Sequence, residues 1–385
     1  MNKLISRFLV TCSLGIVLPL SAQTGNPFIS KEQLRQLYSK PINQWPKPQL
    51  REGIEHRPLG LVPKPVFPAD NPFSVEKMRL GEKLFNDPKL SRSGQIACAS
   101  CHDRDLGWGD GRQVSFGHNR RTGVRNSPAI ENVAFRKQLF WDGRAPTLEA
   151  QALMPIQDTV EMNFTLPELE VRLNDIKEYQ RAFKSVFGQE KITATLIGQA
   201  IATFERTLIS RSSNFDRFLN GISEQSPQRK KFMLASMSDQ ALHGLHLFRT
   251  KAGCLNCHNG ATFSDEKFHN IGLTYYKRKY QDLGRYTVTK DPADVGKFKT
   301  PSLRGVMNNK PWMHNGFFAG MDGIMNIYNA GGIPQRDDKD DPMSPKTSHL
   351  LKPLNLNAEE LKALEEFMHA ITASPSRGPH YQFLR

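Results

Sequence analysis

Cysteine is scarce in this chain, with five among 385 residues. That number is too small for a disulfide-stapled scaffold, and Cys12 lies within the first residues. Long apolar runs are also missing, since no segment approaches the roughly 18 residues a bilayer span needs. Strand signals of period two are sparse, which argues against an all-β fold and sets the class as mainly α. Acidic residues fall short of basic ones, 38 against 52, giving a formal charge of +14.

What is present begins with a leader. Lys3 and Arg7, an apolar stretch from Phe8 to Leu20 and the small residues Ser21-Ala22 read as a signal peptide over residues 1–22, with the mature chain starting near Gln23. Val10-Thr11 is a poor lipoprotein context for Cys12. Cleavage removes Lys3 and Arg7 and leaves +12. In an exported protein this charge argues against nucleic acid. It suits an acidic redox partner or an anionic surface, and equally no specific partner.

The four remaining cysteines sit in two runs, Cys98-Ala-Ser-Cys101-His102 and Cys254-Leu-Asn-Cys257-His258. Each reads as a covalent c-type haem attachment site. The thiols add across the vinyl groups, and the following histidine, His102 or His258, becomes an axial iron ligand. Two such runs in one exported chain predict two covalently bound c-type haems. Attachment to thiols needs an exported apoprotein, so the expected compartment is a bacterial periplasm.

Length suggests two domains. Residues 23–69, rich in proline, read as an extended arm that wraps the first domain or stays loose. The pattern Val75, Met78, Leu80, Leu84, Phe85 leads into the first haem run, and Ala241, Leu242, Leu245, Leu247, Phe248 into the second. This predicts an N-terminal cytochrome c-like domain over 70–222 and a C-terminal one over 232–385. Helices are expected over Leu166–Phe187, over Ile192–Leu208 with Thr193 as cap, and over Asn357–Ile371. Ser223–Lys231 reads as the interdomain loop and Arg336–Asp341 as a solvated charged loop.

Beyond the haem runs, the segments Phe140-Trp141-Asp142-Gly143-Arg144-Ala145, Leu148–Ala152 and Val160-Glu161-Met162 stand in order. They are followed by Phe268–Leu273, Phe298–Arg304 and Met313–Gly316. From about Leu80 to Thr372 the chain resembles the bacterial dihaem cytochrome c peroxidases and MauG. The resemblance implies that Trp141 relays electrons between the haems. It implies that Gln151 and Glu161 form the distal pair at the peroxidatic N-terminal haem, in a pocket shaped by Pro155. A carboxylate there can take a proton from one peroxide oxygen and return it to the other, with an amide positioning the peroxide.

His118 stands where the family's peroxidases carry a histidine that caps the oxidised peroxidatic iron; the alternative is a surface histidine. Tyr328 stands where the peroxidases place an axial methionine on the C-terminal haem and MauG a tyrosine. Met321 and Met325 share its helical face and stay open as ligands. A calcium ion between the domains would take the side chain of Asn126 and the carbonyls of Asn309 and Pro311. His269 and His314 are expected to hydrogen-bond near the second haem.

Three functions follow. The first is reduction of hydrogen peroxide with electrons from a small periplasmic cytochrome c or cupredoxin. The second is MauG-like, peroxide-dependent oxidation of Trp or Tyr residues on a partner protein. Ala252 stands against it, replacing MauG's electron-transfer tryptophan two residues before the second haem run. The third, a passive dihaem electron carrier, is disfavoured by Gln151 and Glu161. A homodimer is compatible with the sequence.

Overall fold

Two helices decide the architecture, because each precedes a haem run and each carries a glycine where another helix crosses it. α2 (Val75–Asn86) is capped by Ser74, whose hydroxyl accepts from Lys77 N–H. It buries Met78, Leu80, Leu84 and Phe85 against α6 (Ala194–Glu205). α9 (Asp239–Arg249), capped by Ser238, packs in the same way on α12 (Ala358–Ala370), which opens with an Asn357 capping box. A Cβ on Gly81 would lie 1.9 Å from the Ala200 carbonyl oxygen, and one on Gly244 1.9 Å from that of Ala363. Only glycine permits either crossing. Gly244→Val should therefore destabilise the second core by about 3 kcal/mol, read as an earlier thermal unfolding step of the haem-loaded protein. An unchanged transition would mean that α9 and α12 do not meet this way in solution.

The computed structural model describes residues 29–335 and 338–375. The expected leader lies outside them, as do Arg336 and Asp337 of the charged loop expected over Arg336–Asp341. α1 (Lys31–Tyr38) comes first, then α2. α3 (Leu148–Gln157), α4 (Leu166–Asn174), α5 (Lys177–Phe187) and α6 follow in the first half. α7 (Asn214–Ser223), α8 (Pro227–Leu234), α9, the single-turn α10 (Tyr286–Thr289), α11 (Met321–Asn329) and α12 make the second. The one sheet among the described residues pairs β1 (Phe268–His269) with β2 (Phe298–Lys299), antiparallel, His269 opposite Phe298. None of the described helices is long and apolar enough to cross a membrane.

The apolar residues form two cores. One runs from Met78 to Leu208. The other gathers Phe215–Ile371 together with Leu34, Tyr38, Trp45 and Leu59 of the arm. Several expectations are corrected here. The arm does not wrap the first domain: α1 lies on α9 of the second. Arg35 pairs with Asp239 at 2.5 Å, Tyr38 OH meets His246 Nδ1 at 3.1 Å, and Arg249 lies over the rings of Tyr38 and Trp45. The first core ends at Leu208, before α7, whose Phe215 and Phe218 pack in the second. The stretch expected as one helix over Leu166–Phe187 breaks after Asn174. The Asn174 amide instead donates to Ile192 O and accepts from Ile192 N–H. Ser223–Lys231 is not all loop, because Pro227 starts α8.

Buried ion pairs tie the cores together. Glu266 of the second core bonds Arg136 at 3.0 Å and Lys299 at 2.6 Å. Arg125 makes two bonds to Asp282, 2.7 and 2.8 Å, and one to Asp142 at 2.6 Å.

Candidate active site

Both haem runs fold into the same tight turn. His102 N–H donates to Cys98 O at 3.0 Å and His258 N–H to Cys254 O at 2.8 Å, which gathers each thiol pair beside its histidine. The Nδ1–H of His102 donates to the carbonyl of Trp108 and that of His258 to the carbonyl of Phe263, both at 3.0 Å. A carbonyl can only accept, so Nε2 of each ring keeps its lone pair, the tautomer a metal-binding imidazole needs. Trp108 and Phe263 both hold left-handed backbone, φ 65° and 54°, at matching places in the two halves. Sequence reading had no signal for either.

Burial pushes all four thiols up: Cys101 to about 11, Cys254 and Cys257 to about 12, and Cys98 further still. Burial therefore favours the protonated form of each thiol in the chain before any haem is attached.

The first histidine opens onto a cavity of about 220 Å³. Its lining brings Cys98, Cys101 and His102 together with Gln151, Pro155 and Glu161, and with Trp141 and Asn126. Lys299 and Pro301 of the second core close it. Helix α3 presents Gln151 and Pro155 one turn apart, and Asp158 ends that helix. Asp158 O then accepts from Glu161 N–H at 3.1 Å, turning Glu161 back into the cavity. Glu161 is open to solvent through the cleft. Protein crowding its carboxyl and the nearby Asp158 push its pKa above the ordinary carboxylate range, with Arg144 opposing.

Sequence reading missed a second carboxylate here. Glu205, at the end of α6, is 5 % exposed and lines the same cavity, with Oε2 bonded to nothing among the described residues. Burial pushes it to about 8. A histidine with Nε2 free beside paired thiols, and an orphaned buried oxygen across the cavity, fit a covalently held macrocycle.

His118 is not on the cavity wall. Its N–H is shared between Val160 O at 2.9 Å and Glu161 O at 2.7 Å, and its Nδ1 is buried with no partner among the described residues. A Cβ on Gly117 would come within 2.0 Å of Val160 O, so glycine is what lets the two loops touch.

Between the two halves, Trp141 Nε1–H donates to Asn126 O at 2.9 Å, and its ring meets His314 edge-on at 6.4 Å between centroids. His314 stacks on Phe298 at 3.5 Å. Burial pushes the His314 ring to about 3, so it is neutral. His269 does bond a carboxylate, Asp265, at 2.8 Å, close to Cys257.

Tyr328, Met325 and Met321 all join the second core from α11. Burial pushes the Tyr328 phenol up, and the thiols of Cys257 and Cys254 push the same way. Asn126 Nδ2 donates to the carbonyls of Arg112 at 2.8 Å and Gln113 at 3.3 Å, leaving Oδ1 as its remaining acceptor. Asn126 N–H donates to His314 O at 2.7 Å, and Gly109 lies against Asn309, so Asn126 and the Asn309–Pro311 turn border one seam.

A profile of the family described as di-haem cytochrome c peroxidase matches residues 75–224. The chain is 39% identical over 346 residues to the cytochrome-c peroxidase IdrP1 of Denitromonas iodatirespirans, covering 82% of this chain and 86% of that protein. It is 36% identical over 312 residues to the methylamine utilization protein MauG of Methylorubrum extorquens, covering 80% and 82%. Among solved structures, a MauG-like protein associated with microbial copper homeostasis superposes with a TM-score of 0.70 at 29% identity, covering 84% of this chain and 97% of that one.

Proposed function

The chain belongs to the di-haem cytochrome c peroxidase family, and from that premise we propose that it reduces hydrogen peroxide to water at the first cavity in the periplasm. The electrons would come from a small redox protein, a cytochrome c or a cupredoxin. The observation that carries this reading is the meeting of Gln151, Pro155 and Glu161 with Cys98, Cys101 and His102 around one cavity. An electron carrier has no use for a proton-transferring carboxylate at that place.

Cys98 and Cys101 would hold one haem covalently and Cys254 and Cys257 the other, with His102 and His258 as proximal ligands through Nε2. When bound, the haems supply the electron storage and the iron centre at which the peroxide O–O bond is reduced. Overall, one peroxide, two electrons and two protons give two waters. Glu161, ionised, takes the proton from one peroxide oxygen and returns it to the other as water departs. The Gln151 amide holds the peroxide in line, and Pro155 keeps the wall apolar. Trp141, with His314 against its ring, would carry electrons between the halves. Asn126 Oδ1 and the carbonyls of Asn309 and Pro311 suit a calcium ion, which takes oxygen ligands of this neutral kind.

Tyr328 favours a second reading, MauG-like oxidation of Trp or Tyr on a partner protein. Ala252, 5 % exposed, offers no aromatic relay to such a partner. The test is to mix the oxidised holoprotein with hydrogen peroxide, with and without a reduced cytochrome c or cupredoxin, and follow the haem spectrum and donor oxidation. Rapid donor oxidation supports the first reading. A long-lived peroxide-induced spectrum that donors do not discharge supports the second.

His118 as a cap on the oxidised first iron implies two low-spin haems at rest, one of which His118→Ala turns high-spin. A high-spin, five-coordinate haem in the untreated oxidised protein would instead mean an open site.

A further inference from the structure

The loop from Thr274 to Asp282 serves none of the roles above, yet it is built at some cost. Tyr275, Lys277 and Tyr280 hold φ values of 50°, 53° and 71°, a region bulky residues rarely occupy. Such strain persists only where the surroundings hold it, and it concentrates at functional positions. The loop is closed by Asp282 N–H to Thr274 O at 2.9 Å and Thr274 Oγ1 to Asp282 O at 2.6 Å. Tyr276 OH and Lys277 Nζ both reach Asp341 at 2.8 Å.

This frame displays an aromatic cluster. The rings of Tyr275, Tyr280 and Phe317 meet edge-on, with centroids 5.1 to 6.3 Å apart. Arg278 lies over Tyr275 at 5.1 Å and Lys279 over Tyr280 at 5.0 Å. Both cations are exposed, and Tyr280 is 58 % exposed. Gly316, just before Phe317, packs against Gln113 with no room for a Cβ, and three residues on from Gln113, Phe116 is half exposed under Arg112. Exposed aromatic rings interleaved with arginine are the composition of binding hot spots.

The patch is also short of nothing in its route inward. Asp282, at the base of the loop, grips Arg125, which pairs with Asp142 beside Trp141. Phe317 stands three residues beyond His314, the ring neighbour of Trp141.

We propose that Tyr275, Arg278, Lys279, Tyr280 and Phe317 form the docking surface for a small acidic redox protein. Its carboxylates meet the two loop cations, and its apolar contact face covers the three rings. Charge selects this occupant, because the chain keeps +12 without its expected leader and presents the exposed Arg278 and Lys279 at the patch, which repel a basic partner. The proposal rests on the peroxidase reading for the role of that partner, and it places docking over Trp141 and His314.

The test uses the haem-loaded full chain, an acidic cupredoxin of the plastocyanin type as probe, and a basic mitochondrial-type cytochrome c for comparison. Calorimetric titration at low salt gives Kd, and peroxide-dependent oxidation of the reduced probe gives KM. Arg278→Glu with Lys279→Glu should raise both for the cupredoxin by about tenfold or more. Lys177→Glu with Arg181→Glu on α5 makes the same charge change elsewhere and should leave Kd within about twofold, since distant charges are screened. Tyr280→Ala should also weaken binding, while leaving the salt dependence as it was. Three results overturn the docking surface: no binding of the cupredoxin by the wild type, equal Kd in the loop variant, or an equal loss in the α5 variant. Peroxide turnover by the wild type with hydroquinone, a small reductant that needs no docking, is read separately. Its absence overturns the peroxidase reading, while the Kd comparison still decides the surface.

Discussion

Glu161→Gln is expected to lower peroxide turnover by about 10²–10⁴-fold, the usual weight of a positioned acid–base group, while both haem spectra stay as they are. The substitution keeps the shape and polarity of the side chain and removes only its ability to hold and release a proton. The raised pKa of Glu161 sets the pH dependence. Burial at the cleft raises it first and Asp158 second, with Arg144 pulling the other way. The ionised form accepts the peroxide proton, so turnover should be full above that pKa and fall as pH drops through it. The acid limb should therefore lie above the range of an ordinary exposed carboxylate, and Glu161→Gln should abolish it. Stopped-flow peroxide consumption against pH reads both effects. Near-normal turnover in the variant would remove Glu161 from the chemistry.

Tyr328→Phe is expected to raise the potential of the C-terminal haem, on the order of 0.2 V within the roughly 0.8 V that axial ligands command. A phenolate stabilises the higher oxidation state of iron, and phenylalanine cannot replace it. The pKa of Tyr328 is pushed up by burial in the protein alone. A nearby metal ion reverses that logic, because it favours the deprotonated ligand. Loss of a phenolate absorption together with the rise in potential would assign the ligand. If the wild type instead shows a methionine–iron band that survives Tyr328→Phe, the ligand is Met325 or Met321, on the same face of α11. The second half would then be an ordinary cytochrome-fed haem.

Much of the site could be read from the sequence because its parts are local. The haem runs declare themselves by their own residues, whereas Trp141, Gln151 and Glu161 were legible only through the family resemblance of the short segments that hold them. Thr193 caps the helix it was expected to cap. What escaped is what depends on distant partners. The arm looked loose because prolines dominate it, yet Arg35, Tyr38 and Trp45 find Asp239, His246 and Arg249 some two hundred residues away. Glu205 looked like an ordinary helix residue until α6 turned it into the cavity. The seam of Arg136, Glu266 and Lys299 joins three segments with no common pattern. The break after Asn174 came from one amide reaching Ile192, which no helical periodicity encodes.

The most direct test of the central claim counts electrons against peroxide in one vessel. Holoprotein, a reduced acidic cupredoxin or cytochrome c and hydrogen peroxide are mixed, and donor oxidation and peroxide loss are followed together. Two donor molecules oxidised per peroxide removed, at a rate that Glu161→Gln suppresses, is the result expected of a peroxidase with its acid–base site in the first cavity. Peroxide loss without donor oxidation, or donor oxidation indifferent to Glu161, would contradict it.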